Sequence, residues 1–208
     1  PHLVNVMLQS VDPSERLRFI QIQAGGADGL YVKIAKYHPD TYRQILQSVS
    51  SDDERLQLLQ MKDSMGWTVL HYAAISSATE IVQMILESVS EEIRYTLLSM
   101  EDNVKMTPIH IACTQENCEV LEVMMRLITV EMRYKLLQLP DGLVDHTPLH
   151  WSALRGHTQC IRVIADSVSS QQLIHLLRIT DLGGRIQLQQ TTEENKQATV
   201  ELLQDYQT

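Results

Sequence analysis

The sequence predicts an all-α solenoid, a single domain over residues 1–208 in which similar units of roughly forty residues stack side by side. Three observations carry this prediction. Two sequence patterns recur along the chain with the same period, and apolar residues follow at helical spacing within the units. In addition, 44% of the residues are hydrophobic and 21% are charged, which suffices to bury a core and excludes disorder for most of the chain.

The period is visible in two series of residues that stay in step. Segments similar to LLQMKD end at acidic residues with offsets of 39, 39 and 40, at Asp63, Asp102, Asp141 and Asp181. A threonine stands three residues before a histidine at offsets of 39 and 40, in the pairs Thr68 and His71, Thr107 and His110, Thr147 and His150. We therefore predict four full units, between a partial repeat over 1–23 and a capping repeat over 181–208. The full units are 24–62, 63–101, 102–140 and 141–180.

The first helix of each unit is expected to begin directly after the threonine. A threonine hydroxyl caps a helix N-terminus, and Pro108 and Pro148 fit the first helical position because the amide hydrogen that proline lacks has no helical partner there. These helices are short and rich in alanine, serine and cysteine, so neighbouring helices can approach closely.

Two further helices and a loop complete the unit. The segments EIVQMILESV, VLEVMMRLI and CIRVIADSV carry apolar residues at i, i+3, i+4 and i+7, which predicts a second, amphipathic helix. A short third helix is predicted at SSDDERLQLL, SEEIRYTLL, VEMRYKLL and SSQQLIHLL. In most units Ser or Asp followed by acidic residues marks its first turn. The polar loop between that helix and the next threonine is expected to project as a hairpin-like loop, here called a finger. Stability should come from stacking, because no unit can bury its own core.

The segments DSMGWTVLHYAA, DNVKMTPIHIAC and DGLVDHTPLHWSA resemble the Asp-x-x-Gly-x-Thr-Pro-Leu-His-x-Ala signature of the ankyrin repeat. They depart from it at Val69, which replaces Pro, at Lys105, which replaces Gly, and by one extra residue in the third segment. The common ankyrin unit has about 33 residues, and the third helix accounts for the greater length here. The resemblance covers nearly the whole chain and weakens before Gly29 and after Asp181.

Charge and cysteine content narrow the class of protein. The formal net charge of −9 disfavours binding to nucleic acid or to an anionic membrane. No apolar run approaches the roughly 20 residues of a membrane helix, and no signal segment opens the chain. The odd set of Cys113, Cys118 and Cys160, without CxxC spacing, predicts reduced thiols in a cytoplasmic, intracellular protein. Because the chain begins at Pro1 rather than Met, we expect an excised fragment of a larger protein.

The histidines do not predict a metal site. His71, His110 and His150 occupy the same place in successive units, so stacking separates them by about 10 Å. Zinc needs its ligands within about 2 Å of the metal, and we therefore predict a hydrogen-bonding role for all three histidines.

Catalytic and cofactor chemistry are also disfavoured. Cys160 with His157 and Asp166 suggests a nucleophilic site, yet Cys160 falls on the core-facing side of the second helix and reads better as a small buried residue. The glycines of QAGGADGL lack the Lys-Ser or Lys-Thr of a phosphate-binding loop and are expected to form a finger. They are Gly25, Gly26 and Gly29. We predict no catalytic, cofactor or metal residues, and hence no enzyme.

The predicted fingers contain apolar residues, although a loop exposed to solvent is usually polar. They are Met65 and Trp67, Val104 and Met106, Leu143 and Val144. Exposed apolar side chains of this kind mark an interaction surface. Alternatively, they pack on one another between the fingers.

The ankyrin resemblance implies that the concave face, made of the fingers and the first helices, binds other proteins. We thus expect a non-catalytic scaffold for a protein partner. The alternative is a regulatory or oligomerisation segment of a larger channel, receptor or signalling protein. The positions that match the family's binding face are Ser64, Met65, Trp67, Ile75, Ser76, Asn103, Val104, Met106, Thr114, Gln115, Leu143, Val144, His146, Leu154 and Arg155.

Overall fold

The computed structural model describes residues 39–48 and 51–186, together with the single residues Asp12 and Val200. The predicted partial repeat over 1–23, the loop with Gly25, Gly26 and Gly29, and most of the cap beyond residue 186 lie outside this part of the chain. All regular secondary structure in the described residues is helical, as the sequence predicted.

Eleven helices follow one another in the described part of the chain. Two belong to the first predicted unit, and each later unit has the three helices expected of it. They are α1 (Pro39–Ser48) and α2 (Asp52–Leu59), then α3 (Val69–Ile75), α4 (Thr79–Glu87) and α5 (Glu91–Leu98), then α6 (Pro108–Thr114), α7 (Cys118–Arg126) and α8 (Val130–Leu137), and last α9 (Pro148–Arg155), α10 (Thr158–Asp166) and α11 (Ser170–Leu176).

The first helix of each complete unit begins directly after its threonine. Thr107 is the N-cap of α6, and its hydroxyl oxygen accepts the His110 backbone N–H at 3.4 Å. In return, His110 Nδ1 accepts the Thr107 backbone N–H at 3.2 Å. This reciprocal capping box satisfies two amide hydrogens that the helix itself leaves unpaired, and the same arrangement starts α3 and α9.

The helices form layers because equivalent helices of successive units pack together. The first helices α3, α6 and α9 lie side by side, and the second helices α4, α7 and α10 lie behind them with α1 on α4. The paired leucines that end the third helices are buried as well, which explains why the LL pattern recurs. Those fully buried are Leu58, Leu59, Leu97, Leu98, Leu136 and Leu137.

Two arginines of the third helices connect neighbouring units. The Nε–H group of Arg133 is shared between the carbonyls of Met125, at 2.7 Å, and Ile128, at 3.0 Å, at the end of α7. Its Nη1 donates to the Ser167 carbonyl at 3.1 Å, just beyond α10. Arg94 repeats this pattern one unit earlier, with Leu86, Val89 and Leu127 as acceptors. Each guanidinium thus caps two helix C-termini, where positive charge is favoured.

The cysteines correct the sequence analysis. Cys118 and Cys160 form a disulfide bond between α7 and α10, with Cα atoms 5.0 Å apart, whereas Cys113 is a free, buried thiol. The prediction of three reduced thiols was therefore wrong. It rested on the absence of CxxC spacing, but the bonded cysteines are 42 residues apart and meet because adjacent units stack.

Each finger has one residue with a left-handed backbone conformation, and in two of the four described fingers this residue is not glycine. The φ angles there are +79° at Gly66, +59° at Lys105, +59° at Asp145 and +72° at Gly184. A side chain raises the energy of this conformation by about 1–2 kcal/mol. The finger backbone therefore keeps its shape even where the glycine of the ankyrin signature is replaced.

Replacing Asp145 with glycine is expected to stabilise the protein by about 0.5–1 kcal/mol, because relief of the left-handed backbone exceeds the entropy that glycine adds to the unfolded chain. Urea unfolding followed by circular dichroism measures the change. Gly66→Ala and Gly184→Ala are the matched reverse changes. A Cβ on Gly66 would lie 2.7 Å from Asn103 Oδ1, while one on Gly184 meets nothing within 4 Å. A larger loss for Gly184→Ala than for Gly66→Ala would contradict this account.

None of the helices in the described residues is long and apolar enough to cross a membrane.

Candidate functional site

Each finger is built around an aspartate carboxylate. In the finger of Asp102, Oδ1 accepts the backbone N–H groups of Val104 at 2.9 Å and Met106 at 2.8 Å. The Asp102 N–H donates to the Met106 carbonyl at 2.9 Å and closes the loop. Oδ2 accepts the indole N–H of Trp67 from the preceding finger at 3.0 Å. The recurring aspartate of the sequence therefore shapes each finger and, here, ties it to its neighbour.

The aspartates of the last two described fingers have lowered pKa values for the same reason. Although burial opposes ionisation, backbone N–H donors from Val144 and Leu143 and the Trp151 indole lower the pKa of Asp141. The backbone N–H and guanidinium of Arg185 lower the pKa of Asp181. Both carboxylates act as fixed acceptors that hold the loop, and their oxygens are directed at this chain's own donors.

Backbone hydrogen bonds align neighbouring fingers. In each pair, an amide near the start of one finger donates to a carbonyl of the previous finger at 2.8–3.0 Å. The pairs are Asn103 N–H with Met65, Gly142 N–H with Val104, and Leu182 N–H with Val144. The fingers are therefore rows of one continuous surface rather than separate mobile loops.

Three buried histidines that recur once per unit, His71, His110 and His150, lie beneath the fingers. His71 Nε2 lies 2.9 Å from the Met106 carbonyl, and His110 Nε2 lies 3.2 Å from the His146 carbonyl, each in the next finger. Nε2 must therefore carry the proton, and Nδ1 accepts from the capping threonine. His150 keeps the capping box, and the backbone of Arg185 in the next finger acts on its ring as the Met106 and His146 backbones act on His71 and His110, a raising effect on the pKa that burial outweighs.

Burial holds these three rings neutral. Desolvation lowers the pKa of His71, of His110 and of His150 to about 4, and the His146 ring beside His150 acts in the same direction. Each of the three histidines is thus a structural hydrogen-bonding group of its unit, as the sequence predicted.

One apolar side chain is exposed on each of the four described fingers. We call this set the fingertip row. Its members and their exposed fractions are Met65, 48%, Val104, 39%, Leu143, 55%, and Leu182, 73%. Packed helical units are spaced by about 10 Å, so the row extends along the last three described units to the finger that follows them. Leu182 was missed by the sequence analysis, although its spacing of 39 residues from Leu143 was a usable signal.

Three of the expected surface residues are instead engaged in packing. Trp67 is only partly exposed, lies against the His71 and Tyr72 rings and donates to Asp102. Met106 packs against the core, and His146 is 5% exposed and stacks on His150. Of the two interpretations that the sequence left open, packing between the fingers describes Trp67 and Met106, because the stacked fingers need side chains to fill the gaps between them.

The other positions are at least partly accessible. Ser64, Asn103, Gln115 and Arg155 are exposed, and Ile75, Ser76, Thr114, Val144 and Leu154 are half-buried. Asn103 donates from Nδ2 to the Ser64 carbonyl at 2.9 Å, which is a further link between fingers. The Arg155 guanidinium lies 6.0 Å from the centre of the Trp151 ring. Polar groups therefore flank the fingertip row on the side of the first helices.

The geometry does not assemble a nucleophilic site from the residues considered. Cys160 is bonded to Cys118, and His157 Nδ1 donates to the Cys113 carbonyl at 2.8 Å. Burial raises the pKa of the Cys113 thiol to about 12. Within the described ranges, no three His, Cys, Asp or Glu side chains are grouped so that they could hold a metal ion.

The stacked helices, their caps and the aligned fingers define a helical-repeat protein. A family model described as ankyrin repeats, in three copies, matches residues 30–135, just over half of the chain. The chain therefore belongs to the ankyrin repeat family. The fourth unit lies beyond the matched residues, yet it has the same cap and the same three helices. A comparison with curated proteins finds no match.

Proposed function

We propose that this protein is a non-catalytic scaffold that binds a partner protein through the fingertip row and the neighbouring surface of the first helices. Ankyrin repeats generally mediate protein–protein interactions. The single observation that carries the proposal is the exposure of one large apolar side chain on each of four aligned fingers. Such side chains, surrounded by polar groups, are typical anchors of an interface.

The proposed binding surface has different central apolar residues from those that the ankyrin resemblance implied. Trp67, Met106 and His146 stabilise the fingers from within, so they position the surface and do not contact a partner with their full side chains. Met65, Val104, Leu143 and Leu182 take the anchoring role. The expected cytoplasmic location loses the support of reduced thiols, because a structural disulfide is typical of an oxidising compartment, and the redox state of Cys118 and Cys160 in cells therefore tests this location.

The test is paired capture from a lysate of the source cells. Met65→Asp with Leu143→Asp is expected to weaken retention of the partner at least ten-fold, because two desolvated anchors are replaced by charges. Val130→Asp with Ile174→Asp is the matched control, since these side chains are 44% and 47% exposed but lie on the third helices. Mass spectrometry identifies the retained proteins, and circular dichroism checks that both variants are folded.

Each outcome decides the proposal. Retention by the native protein and the control, with loss in the fingertip variant, supports the fingertip row as the binding surface. Equal retention by all three proteins, or loss only in the control, overturns it. Light scattering of the native protein alone separates partner binding from self-association, which is the oligomerisation form of the alternative function.

A further inference from the structure

The disulfide lies at a boundary between two units and has one accessible end. Cys118 is the first residue of α7 in the third unit, and Cys160 lies in the first turn of α10 in the fourth. Cys160 is fully buried, whereas Cys118 is partly exposed. A thiolate attacks a disulfide at one sulfur while the other sulfur leaves. Access therefore selects Cys118 as the sulfur under attack and Cys160 as the leaving sulfur.

A surface cleft leads to the accessible end. Its volume is about 460 Å³, and Cys118 is part of its wall. The remaining lining residues include two carboxylates and no cationic side chain; they are Ser77, Glu116, Asn117, Glu119, Val120 and Gln159. Glu116 and Glu119 are both exposed. An approaching small molecule thus meets negative charge, which favours a cation and repels an anion.

The third cysteine provides an internal comparison. Cys113 is completely buried in α6, and burial raises the pKa of its thiol to about 12. A thiol that is both inaccessible and protonated does not react as a nucleophile. The three cysteines therefore have different chemical environments, and Cys118 is the one that lines the acidic cleft.

We propose that Cys118 is a thiol–disulfide exchange site for small-molecule thiols of positive or neutral charge, which open a covalent clamp between the third and fourth units. This inference concerns the boundary between units and does not depend on the proposed partner binding. It follows from the position of the disulfide, the unequal exposure of its two cysteine residues and the acidic cleft lined by Cys118.

The exchange has two balanced steps. The small-molecule thiolate attacks Cys118 Sγ and forms a mixed disulfide, while the Cys118–Cys160 bond breaks and its electron pair leaves on Cys160 Sγ, which takes a proton from water. A second thiolate then attacks the small-molecule sulfur of that mixed disulfide and releases Cys118 as a thiolate. Overall, two thiols are oxidised to one small-molecule disulfide, and the protein disulfide is reduced to two thiols.

The consequence follows from the architecture. In a stacked array each unit contacts only its neighbours, so the link between two units depends on a single interface. Opening the clamp removes the only covalent connection, other than the chain itself, that the described residues place between the third and fourth units. The fourth unit carries Leu143, and its attachment to the array thus becomes dependent on the surrounding thiols.

The test uses three thiols with the same two-carbon skeleton, namely cysteamine, 2-mercaptoethanol and 2-mercaptoethanesulfonate. The intact oxidised chain is incubated with each at equal thiolate concentration, quenched with acid and mapped by peptide mass spectrometry. We expect the mixed disulfide on Cys118. The initial rate should fall from cysteamine to the sulfonate by about ten-fold at low salt, and high salt should reduce the difference.

Matched variants separate the proposal from simpler explanations. The double variant Glu116→Gln, Glu119→Gln is expected to equalise the three rates, and Cys113→Ala should leave them unchanged. If exchange required global unfolding, both Cys118 and Cys160 would carry the small thiol, and its charge would not affect the rate; either result overturns the proposal. Three free thiols in the untreated, denatured chain, or an adduct confined to Cys160, would overturn it as well.

Discussion

Acidification from pH 7 toward pH 4 is expected to unfold the protein with an uptake of about three protons. The protons bind to His71, His110 and His150, whose pKa is lowered by burial to about 4 in the folded state. In the unfolded chain these imidazoles regain the ordinary pKa of about 6.5. The unfolded state therefore binds more protons throughout this interval.

The sign and size of the effect follow from this difference. The contribution of the neutral histidines to stability is complete above about pH 6.5 and is lost progressively as the pH falls toward 4. Three groups together change the free energy of unfolding by up to about 4 kcal/mol per pH unit within this interval. Asp141 and Asp181, whose pKa is lowered in the folded state, change the free energy of unfolding only at lower pH, because an unfolded aspartate takes up its proton below about pH 4.

Urea unfolding at a series of pH values measures this slope. His110→Gln replaces one buried imidazole with a side chain that does not titrate, and it should reduce the proton uptake from about three to about two. His175→Gln removes an exposed imidazole and is the control, for which the slope of the native protein is expected. A free energy of unfolding that stays constant between pH 7 and pH 5 would show that the buried histidines are not the acid-sensitive groups.

Replacing Arg133 with alanine is expected to destabilise the protein by about 3 kcal/mol. The guanidinium donates to the carbonyls of Met125, Ile128 and Ser167 at the ends of two helices, and its removal leaves these partly buried acceptors without their charged donor. A hydrogen bond from a charged group contributes about 1.5–3 kcal/mol, and the three contacts of one group are not additive. The loss should appear as a lower urea midpoint with an unchanged slope.

Arg126 offers a matched control for this prediction. It is an exposed arginine in the last turn of α7, close to the same helix end. Arg126→Ala removes the same charge without removing a bridge between units, so a loss below about 1 kcal/mol is expected. Arg133→Lys should recover only part of the stability, since an ammonium group cannot span both helix ends as a planar guanidinium does. Equal losses for Arg126→Ala and Arg133→Ala would refute the bridging role.

The bridging arginines show why some structural roles escape sequence analysis. Arg94 and Arg133 are 39 residues apart in the third-helix segments, yet an exposed face of a helix also accounts for charged residues at these positions. Their acceptors are backbone carbonyls, which have no sequence signature, and one of them belongs to the next unit. The role becomes visible only when the spacing of the stacked helices is known.

The candidate surface was predictable in outline and not in detail. The apolar residues of the fingers were evident in the sequence, and three of them, Met65, Val104 and Leu143, are exposed. Trp67 and Met106 carry the same apolar character but point into the spaces between stacked fingers. Whether an apolar finger side chain is exposed or packed depends on which side of the finger backbone faces the neighbouring finger. The order of apolar and polar residues within so short a loop does not define that side.

The sequence by itself determined the period, the three helices of each of the last three units and the places where the first helices begin. These features are local: a threonine cap, a proline at the first helical position and an apolar stripe act within about ten residues, so the chain encodes them directly. Only the tertiary structure decided that Cys118 meets Cys160, that Arg133 joins two helix ends, and that the fingertip row faces solvent. These features depend on contacts between units about forty residues apart, and the geometry of stacking, which no single unit specifies, brings those residues together.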